Sequence, residues 1–280
     1  MKRFEGRRLL IVTQHQKEKV MAPILTEALG VHCVVSTHFD TDLLGTFSGE
    51  VDRKSDALTT VREKCLRGMQ LHQCDLAVAS EGSFGMHPSV FFASADDELV
   101  MLIDQKNQLE ITARELSLET NFDAAEVRDK HELLSFLEKI RFPEHGIIIK
   151  KAEKNHSGMA KGITDWEQAL AICNDFISSQ GSAYVETDMR AMYNPSRMKV
   201  IEKATQNLVQ KILSVCPVCE APGFGITDAV AGLPCRLCRS ETRSVLYHVY
   251  TCQQCSHIEK QYYPRGVREE EPLYCDYCNP

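Results

Sequence analysis

Four Cys-x-x-Cys pairs crowd residues 216–278: Cys216/Cys219, Cys235/Cys238, Cys252/Cys255 and Cys275/Cys278. A pair at this spacing turns two thiolates toward one tetrahedral ion, and two pairs close a four-sulfur shell at Zn–S distances of about 2.3 Å. Four pairs therefore predict two structural zinc sites. Disulfides are disfavoured in a chain that opens Met-Lys-Arg-Phe-Glu-Gly-Arg-Arg with no secretion-type apolar segment behind it. Thioredoxin-like redox pairs need one pair at a helix start, not four in succession. The other four of the twelve cysteines, Cys33, Cys65, Cys74 and Cys173, stand in apolar or helical contexts and read as small buried hydrophobes.

The spacing leaves the pairing of the knuckles open. "TRSVLYHVY" and "HIEKQYY" flank Cys252/Cys255 as strands, so the inner knuckles read as one zinc ribbon and the outer knuckles would pair with each other. The alternative is sequential, with Cys216/Cys219 joined to Cys235/Cys238 across the turn-rich "GFGITDAVAGLP". Each filled shell carries four thiolates against one dication. The six Lys and Arg residues of this tail already face eight Asp and Glu, so it lacks the basic footprint of a nucleic-acid ribbon. Tyr247, Tyr250, Tyr262, Tyr263, Tyr274 and Tyr277 suit a small core or a protein-contacting face. Thiolates fill every position at the metal, and no catalysis is expected there.

Upstream, short apolar runs alternate with helical patterns. "RRLLIVT" reads as a buried strand, "KEKVMAPILTEALG" as a helix closed by Gly30, and "VHCVVS" as a second strand. A helix over about residues 55–68 carries Leu58, Val61, Cys65 and Leu66 on one stripe and leads to the strand "DLAVAS". "ELVMLID", "QLEITARE", "GIIIK" and "AYVE" are further strands. Helices are expected over about residues 128–140, after a capping box Thr164-x-x-Glu167, and from Asn194 with Pro195 in its first turn. This alternation predicts an α/β fold, a mixed sheet flanked by helices over residues 1–213, with a small C-terminal double zinc-ribbon module over 214–280. No run of 18 apolar residues occurs, so no membrane helix is expected and the chain is assigned to the cytoplasm. Its formal charge of −7, with both signs intermixed, does not favour nucleic acid or anionic membrane as partner.

Ligands of such sheets collect beyond the carboxyl ends of strands. Three polar loops are expected there: one with Thr13, His15, Lys17 and Lys19; one with Asp40, Asp42, Glu50 and Arg53; and "SEGSFGMHPS", with Glu81, Gly82, Ser83 and His87. Glycines and hydroxyls let amides approach phosphate oxygens, lysines attract the charge, and carboxylates hold Mg2+ with most of its water shell. Taken singly, each loop also reads as turn chemistry with its charges in solvent. Together they predict a Mg2+-phosphate pocket, with Glu81 facing the metal and amides near Gly82 and Ser83 donating to an anion.

In their order, the "TQHQKE" loop, the "GTFSGEVDRKSDALTTVREKC" segment, the strand "DLAVASEGSF" and the late "NPSRMKVIEKA" helix resemble the inosine/xanthosine triphosphatase fold, shared with the Maf-type nucleotide pyrophosphatases, over about residues 7–213. The resemblance implies Mg2+-dependent hydrolysis of aberrant nucleoside triphosphates to monophosphate and pyrophosphate. It implies Thr13, His15 and Lys17 at the phosphates, Glu50 and Glu81 at the metal, and Arg53, Lys64 and Arg197 on the substrate. That family's first motif is Ser/Thr-x-Asn-x-x-Lys; here His15 replaces the Asn and Lys17 arrives one residue early. Asp104, ending "LVMLID", is the candidate general base by position. Over nearly its whole length the chain is also similar to an uncharacterised bacterial family that shares "DTD", "GTFSGE", "ASEGSFG", "TNF", "TDMRAMYNPSRM" and "YCDYCNP" and carries no known activity. Within that pattern Asp188, Arg190 and Arg197 read equally as loop and helix cap or as a completion of the polar hollow.

The expected activity is that of a Mg2+-dependent nucleotide pyrophosphatase or related phosphoanhydride hydrolase acting on a nucleotide or other phosphorylated small molecule. The competing class is a non-enzymatic zinc-ribbon adaptor for protein or nucleic acid. A homodimer or a protein partner would use the zinc module.

Overall fold

The computed structural model describes residues 3–36, 56–90, 92–155 and 157–280, which divide into two compact units, Met1–Val209 and Gln210–Pro280. The first unit contains two sheets. Five strands, β1 (Arg8–Val12), β2 (His32–Val35), β3 (Leu76–Met86), β4 (Ser94–Asp104) and β5 (Leu109–Ser117), form a mixed sheet in the order β2-β1-β3-β4-β5. β1 is parallel to both β2 and β3, and β3, β4 and β5 are antiparallel.

Strand alternation divides this sheet's core. Leu10, Val12, Ala77, Ala79, Met101 and Ile103 pack beneath α2 (Ala57–His72) through Val61, Cys65 and Met69. Leu9 and Ile11, the buried residues that alternate with Leu10 and Val12 along β1, face the other way. α1 (Glu18–Leu29) buries Met21, Leu25 and Leu29 and ends at Gly30, whose φ of 67° lets its N–H reach Thr26 O. Asp56 caps α2 by accepting from the Thr59 N–H, and the helix runs on to His72, beyond its expected end near residue 68.

The second sheet has the order β6-β9-β7-β8, from β6 (Ala124–Val127), β7 (Ile147–Lys150), β8 (Ala160–Ile163) and β9 (Ala183–Thr187). α3 (Lys130–Lys139) and α4 (Trp166–Gln180) cover one face, where Leu133, Phe136, Leu137, Cys173 and Phe176 meet Ile147, Ile149 and Val185. The short strands β6 and β8 carry no pattern that stands out in the sequence. α4 is capped by Asp165, which accepts from the Gln168 N–H, and not by Thr164. α5 (Pro195–Leu213) starts with its proline in the first turn, as expected.

One expected loop is not a loop. The segment from Ser80 to Met86 continues β3, and all eleven residues of that strand pair with β4. The turn comes later, where His87 Nδ1 accepts from the Ser89 and Val90 N–H groups at 3.1 Å each.

In the second unit β10 (Gly225–Ala231), β11 (Val245–Thr251) and β12 (Ile258–Tyr262) form an antiparallel sheet. β11 and β12 coincide with the expected strands. The stretch expected to be turn-rich contains β10, with register shifts between Ile226 and Asp228 and between Val230 and Ala231. Among the described residues no helix is long and apolar enough to cross a membrane.

Candidate functional site

The strand order reverses at β1, which has β2 on one side and β3 on the other, a switch point of the kind where α/β sheets open a crevice. β1 stops at Val12, paired with Ala79, while β3 continues to Met86. Along that continuation Ser80, Gly82 and Phe84 share a face with their cross-strand partners Val100, Glu98 and Asp96. Glu81 and its partner Leu99 take the opposite face, on the α2 side.

A buried polar cluster occupies the first face. Lys17, just before α1, donates to Ser80 Oγ at 2.9 Å. Arg197, from the first turn of α5, is 1% exposed: its Nε donates to Glu98 Oε1 at 2.6 Å, its Nη1 donates to the Met189 carbonyl, and its guanidinium lies 5.1 Å above the Phe84 ring. Asn194 caps α5 by accepting from the Arg197 N–H at 3.0 Å. Asp188 accepts from the Gly162 N–H and from Arg190. The "TDMRAMYNPSR" stretch thus combines a loop brace, a helix cap and a cation delivered to Glu98. Asp96 and Glu98 are fully buried, and neither oxygen of Asp96 nor Oε2 of Glu98 has a hydrogen-bond partner among the described residues. Unpaired buried carboxylate oxygens are costly and call for a ligand or a counter-charge.

The electrostatics follow from this crowding. Burial, then the neighbouring Glu98, pushes the Asp96 carboxyl up to about 8. Burial, then Arg197, brings the Lys17 amine down to about 8. Burial, followed by Lys17, Arg197, Arg190 and Lys64, holds His15 at about 3, so it is a neutral imidazole at neutral pH. His15 and Gln16 both have left-handed backbones, φ 63° and 62°, in the β1–α1 turn, a conformation that costs a non-glycine residue roughly 1–2 kcal/mol.

The structure places the sequence-derived candidates unevenly. Lys17 and Arg197 join the cluster, and His15 senses its charges. Lys64 and Glu81 form an ion pair with each other on the α2 side. Thr13 is buried and donates to the Gln14 carbonyl at 2.6 Å. Gly82 and Ser83 lie in the β3–β4 ladder and not in a turn, so the anion nest expected of their amides is not formed. Glu50 and Arg53, with Asp40 and Asp42, lie outside the described residues. Asp104 pairs with Leu76 near the far end of β4, about 20 Å of strand from Glu98, where it accepts from both nitrogens of the Arg7 fork and from Asn107. It is a structural anion, not a base at the crevice. Asp96 and Glu98 escaped the sequence reading; their signal is the pair of carboxylates two residues apart in "SADDELVMLID", which a strand puts on one face.

Beside the cluster lies a cavity of about 330 Å³ lined by Phe84, Phe122, Ile148, Tyr184, Met189 and Arg190. Phe84 belongs to both.

In the second unit the eight knuckle cysteines form two quartets, Cys216/Cys219/Cys252/Cys255 and Cys235/Cys238/Cys275/Cys278. Both pairings left open by the sequence are corrected: the first knuckle joins the third and the second joins the fourth. Sulfur separations across the quartets are 3.7 Å for Cys216–Cys255, 3.5 Å for Cys219–Cys252, 3.9 Å for Cys235–Cys278 and 3.6 Å for Cys238–Cys275. A tetrahedron with Zn–S bonds of about 2.3 Å has edges of about 3.8 Å, so the quartets have the dimensions of a zinc shell and not of disulfides. In three knuckles the first sulfur accepts an N–H bond at 3.4 Å, from Val218, Leu237 and Gln254. Glu220, Arg239 and Ser256, each directly after a second cysteine, have left-handed backbones that tighten these turns. The antiparallel pair β10–β11 explains the interleaving. Its Gly225–Thr251 end adjoins the first quartet and its Ala231–Val245 end adjoins the second.

A family model described as a domain of unknown function (DUF6671) matches residues 64–280. Curated proteins yield no match. A solved structure described as protein VC0702 from Vibrio cholerae is similar at 8% identity and a TM-score of 0.32, over 75% of this chain and 96% of that chain.

Proposed function

We propose that this chain, which belongs to the family described as a domain of unknown function (DUF6671), binds a phosphorylated small molecule of the nucleotide class at the β1–β3 crevice and hydrolyses its phosphoanhydride with Mg2+, while its cysteine quartets hold two structural zinc ions. One observation carries the reading: a buried amine, a buried guanidinium and carboxylate oxygens without partners meet at the switch point of a mixed sheet.

Lys17 and Arg197 supply fixed positive charge for phosphate oxygens, and neutral His15 supplies an acceptor or donor nitrogen without adding charge. The cavity beyond Phe84 has room and apolar walls for the organic part of the ligand. A bound divalent cation would polarise the phosphoanhydride and neutralise charge on its oxygens. The zinc ions act as cross-links of the small sheet, since four thiolates leave no position for substrate.

The test is a panel of nucleoside triphosphates and diphosphates with MgCl2, read as released phosphate and pyrophosphate, with wild type beside Lys17→Met. Turnover lost by at least tenfold in the variant supports the reading. A wild type that neither binds inorganic pyrophosphate nor cleaves any member of the panel overturns it.

A second reading, the zinc module as a protein-contacting surface, is favoured by the exposed Leu237, Leu273, Tyr274 and Tyr277 around the second quartet. Nucleic acid is a poor fit to the same surface. Of the six basic residues of the tail, Arg236, Arg239, Arg243 and Arg265 are paired with Glu271, Glu269, Asp276 and Glu270. Sedimentation of wild type and a Leu237→Ser/Tyr277→Ser variant separates a self-associating surface from a solvated one.

A further inference from the structure

Asp96 and Glu98 stand two residues apart on one face of β4, so their side chains lean toward the same space. Both are buried, and three of their four carboxylate oxygens have no hydrogen-bond partner among the described residues. The fourth, Glu98 Oε1, is held by Arg197. That bond, with Gly82 directly beneath it, orients the Glu98 carboxylate and leaves its other oxygen to a ligand. Hydrogen-bond donors are near at hand, yet Lys17 is directed to Ser80 and Arg190 to Asp188.

The charge balance narrows the ligand. Lys17, Lys64 and Arg197 stand against Glu81, Glu98 and, once a cation displaces its proton, Asp96, so the surroundings that face a bound cation are close to neutral. A phosphate alone would make the site anionic and a divalent cation alone would make it cationic; the two together restore the balance. The donor set narrows the cation. Carboxylate oxygens are hard donors, and among the described residues no third carboxylate, imidazole or thiol converges with these two. Calcium takes about six to eight oxygen ligands and draws most of them from several protein groups, whereas Mg2+ characteristically takes one or two carboxylates and completes its shell with water and substrate phosphate.

We propose that Asp96 and Glu98 are the protein ligands of a divalent cation of the magnesium and manganese class, bound on the Ser80–Gly82–Phe84 face of the β3–β4 hairpin. The metal role foreseen for Glu81 passes to them, since Glu81 is paired with Lys64 on the other face. The two-carboxylate site stands on its own geometry; its completion by phosphate rests on the function proposed above.

The experiment uses the full zinc-loaded chain and MnCl2, with free Mn2+ read by electron paramagnetic resonance. Wild type is expected to bind one Mn2+, Asp96→Asn at least tenfold more weakly, and Glu81→Gln within twofold of wild type. A second readout covers folding: Mn2+ should raise the thermal midpoint of wild type and not that of Asp96→Asn, and without the ion Asp96→Asn should melt no lower than wild type, because the amide replaces a buried carboxyl whose oxygens have no hydrogen-bond partner among the described residues. Equal Mn2+ affinity in wild type and Asp96→Asn, or no Mn2+-dependent shift of wild type at millimolar ion, overturns the site. Mn2+ binding lost in Asp96→Asn, combined with a silent nucleotide panel, supports the site and removes the hydrolase reading. Cation-dependent hydrolysis undiminished in Asp96→Asn does the reverse.

Discussion

Gly82 lies so close under Glu98 that a Cβ at position 82 would stand 2.3 Å from Glu98 Oε1, and 2.7 Å from Arg197 Nη2. The glycine is there for space and not for backbone freedom, since its φ is not in the left-handed region. Gly82→Ala should therefore cost roughly 1–3 kcal/mol by overpacking a buried ion pair. Gly85→Ala, whose Cβ would meet nothing within 4 Å, should change stability by less than about 0.5 kcal/mol. Urea denaturation of both variants checks the contrast.

Removing the partner of a buried charge is worse than removing both. Arg197→Met leaves Glu98 buried without its cation and should destabilise the first unit by roughly 3–5 kcal/mol. Adding Glu98→Gln to that variant should recover part of the loss. A double-mutant cycle with a favourable coupling of at least about 1 kcal/mol confirms the pair, and additive losses contradict it.

At the far end of the sheet the sign of a pH effect is determined. Burial alone would raise the Asp104 carboxyl, but the hydrogen bonds from Arg7 and Asn107 outweigh it and hold it below its ordinary value of 3.8. A carboxyl depressed in the folded state stabilises above its unfolded pKa, and that contribution disappears as pH falls through the folded value. Arg7→Met should cost roughly 2–4 kcal/mol at pH 7. The gap between wild type and variant should narrow below about pH 4, in urea melts run across that range.

The interleaving of the quartets would couple the two proposed zinc sites. The loop closed by the first quartet contains Cys235 and Cys238, and the loop closed by the second contains Cys252 and Cys255. Losing either ion reopens the loop that positions half of the other site, with its closure entropy. Chelator titration followed by a colorimetric zinc dye should release two zinc ions in one transition. Cys252→Ser should hold fewer than one ion per chain; retention of one full ion would show the sites to be independent.

What the sequence disclosed divides along local and distant physics. Cys-x-x-Cys is a local device, so the eight clustered sulfurs were legible one pair at a time, but their partners depend on β10, which Gly225 and the polar "TDA" stretch disguise as turn. The mixed α/β order was legible from apolar periodicity. The length of β3 was not, because Glu-Gly-Ser-Phe-Gly has the chemistry of a loop and becomes strand only by pairing with β4 over eleven residues. That same register places Glu98 opposite Gly82, so the character of Asp96 and Glu98 could not be read from their neighbours in sequence. Asp104 misled for a related reason: its partner Arg7 lies 97 positions away. Lys17 and Arg197 stood out as cations near predicted element ends, and the burial that gives them their chemistry comes from tertiary packing.

The order of the knuckles also bears on how the chain is made. Thiol pairs leave the ribosome in sequence, so Cys235/Cys238 meets Cys216/Cys219 before the rightful partner, Cys252/Cys255, has been synthesised. The hairpin of β10 and β11 brings the third pair beside the first, so the final grouping of sulfurs follows strand register and not the order in which the pairs are made.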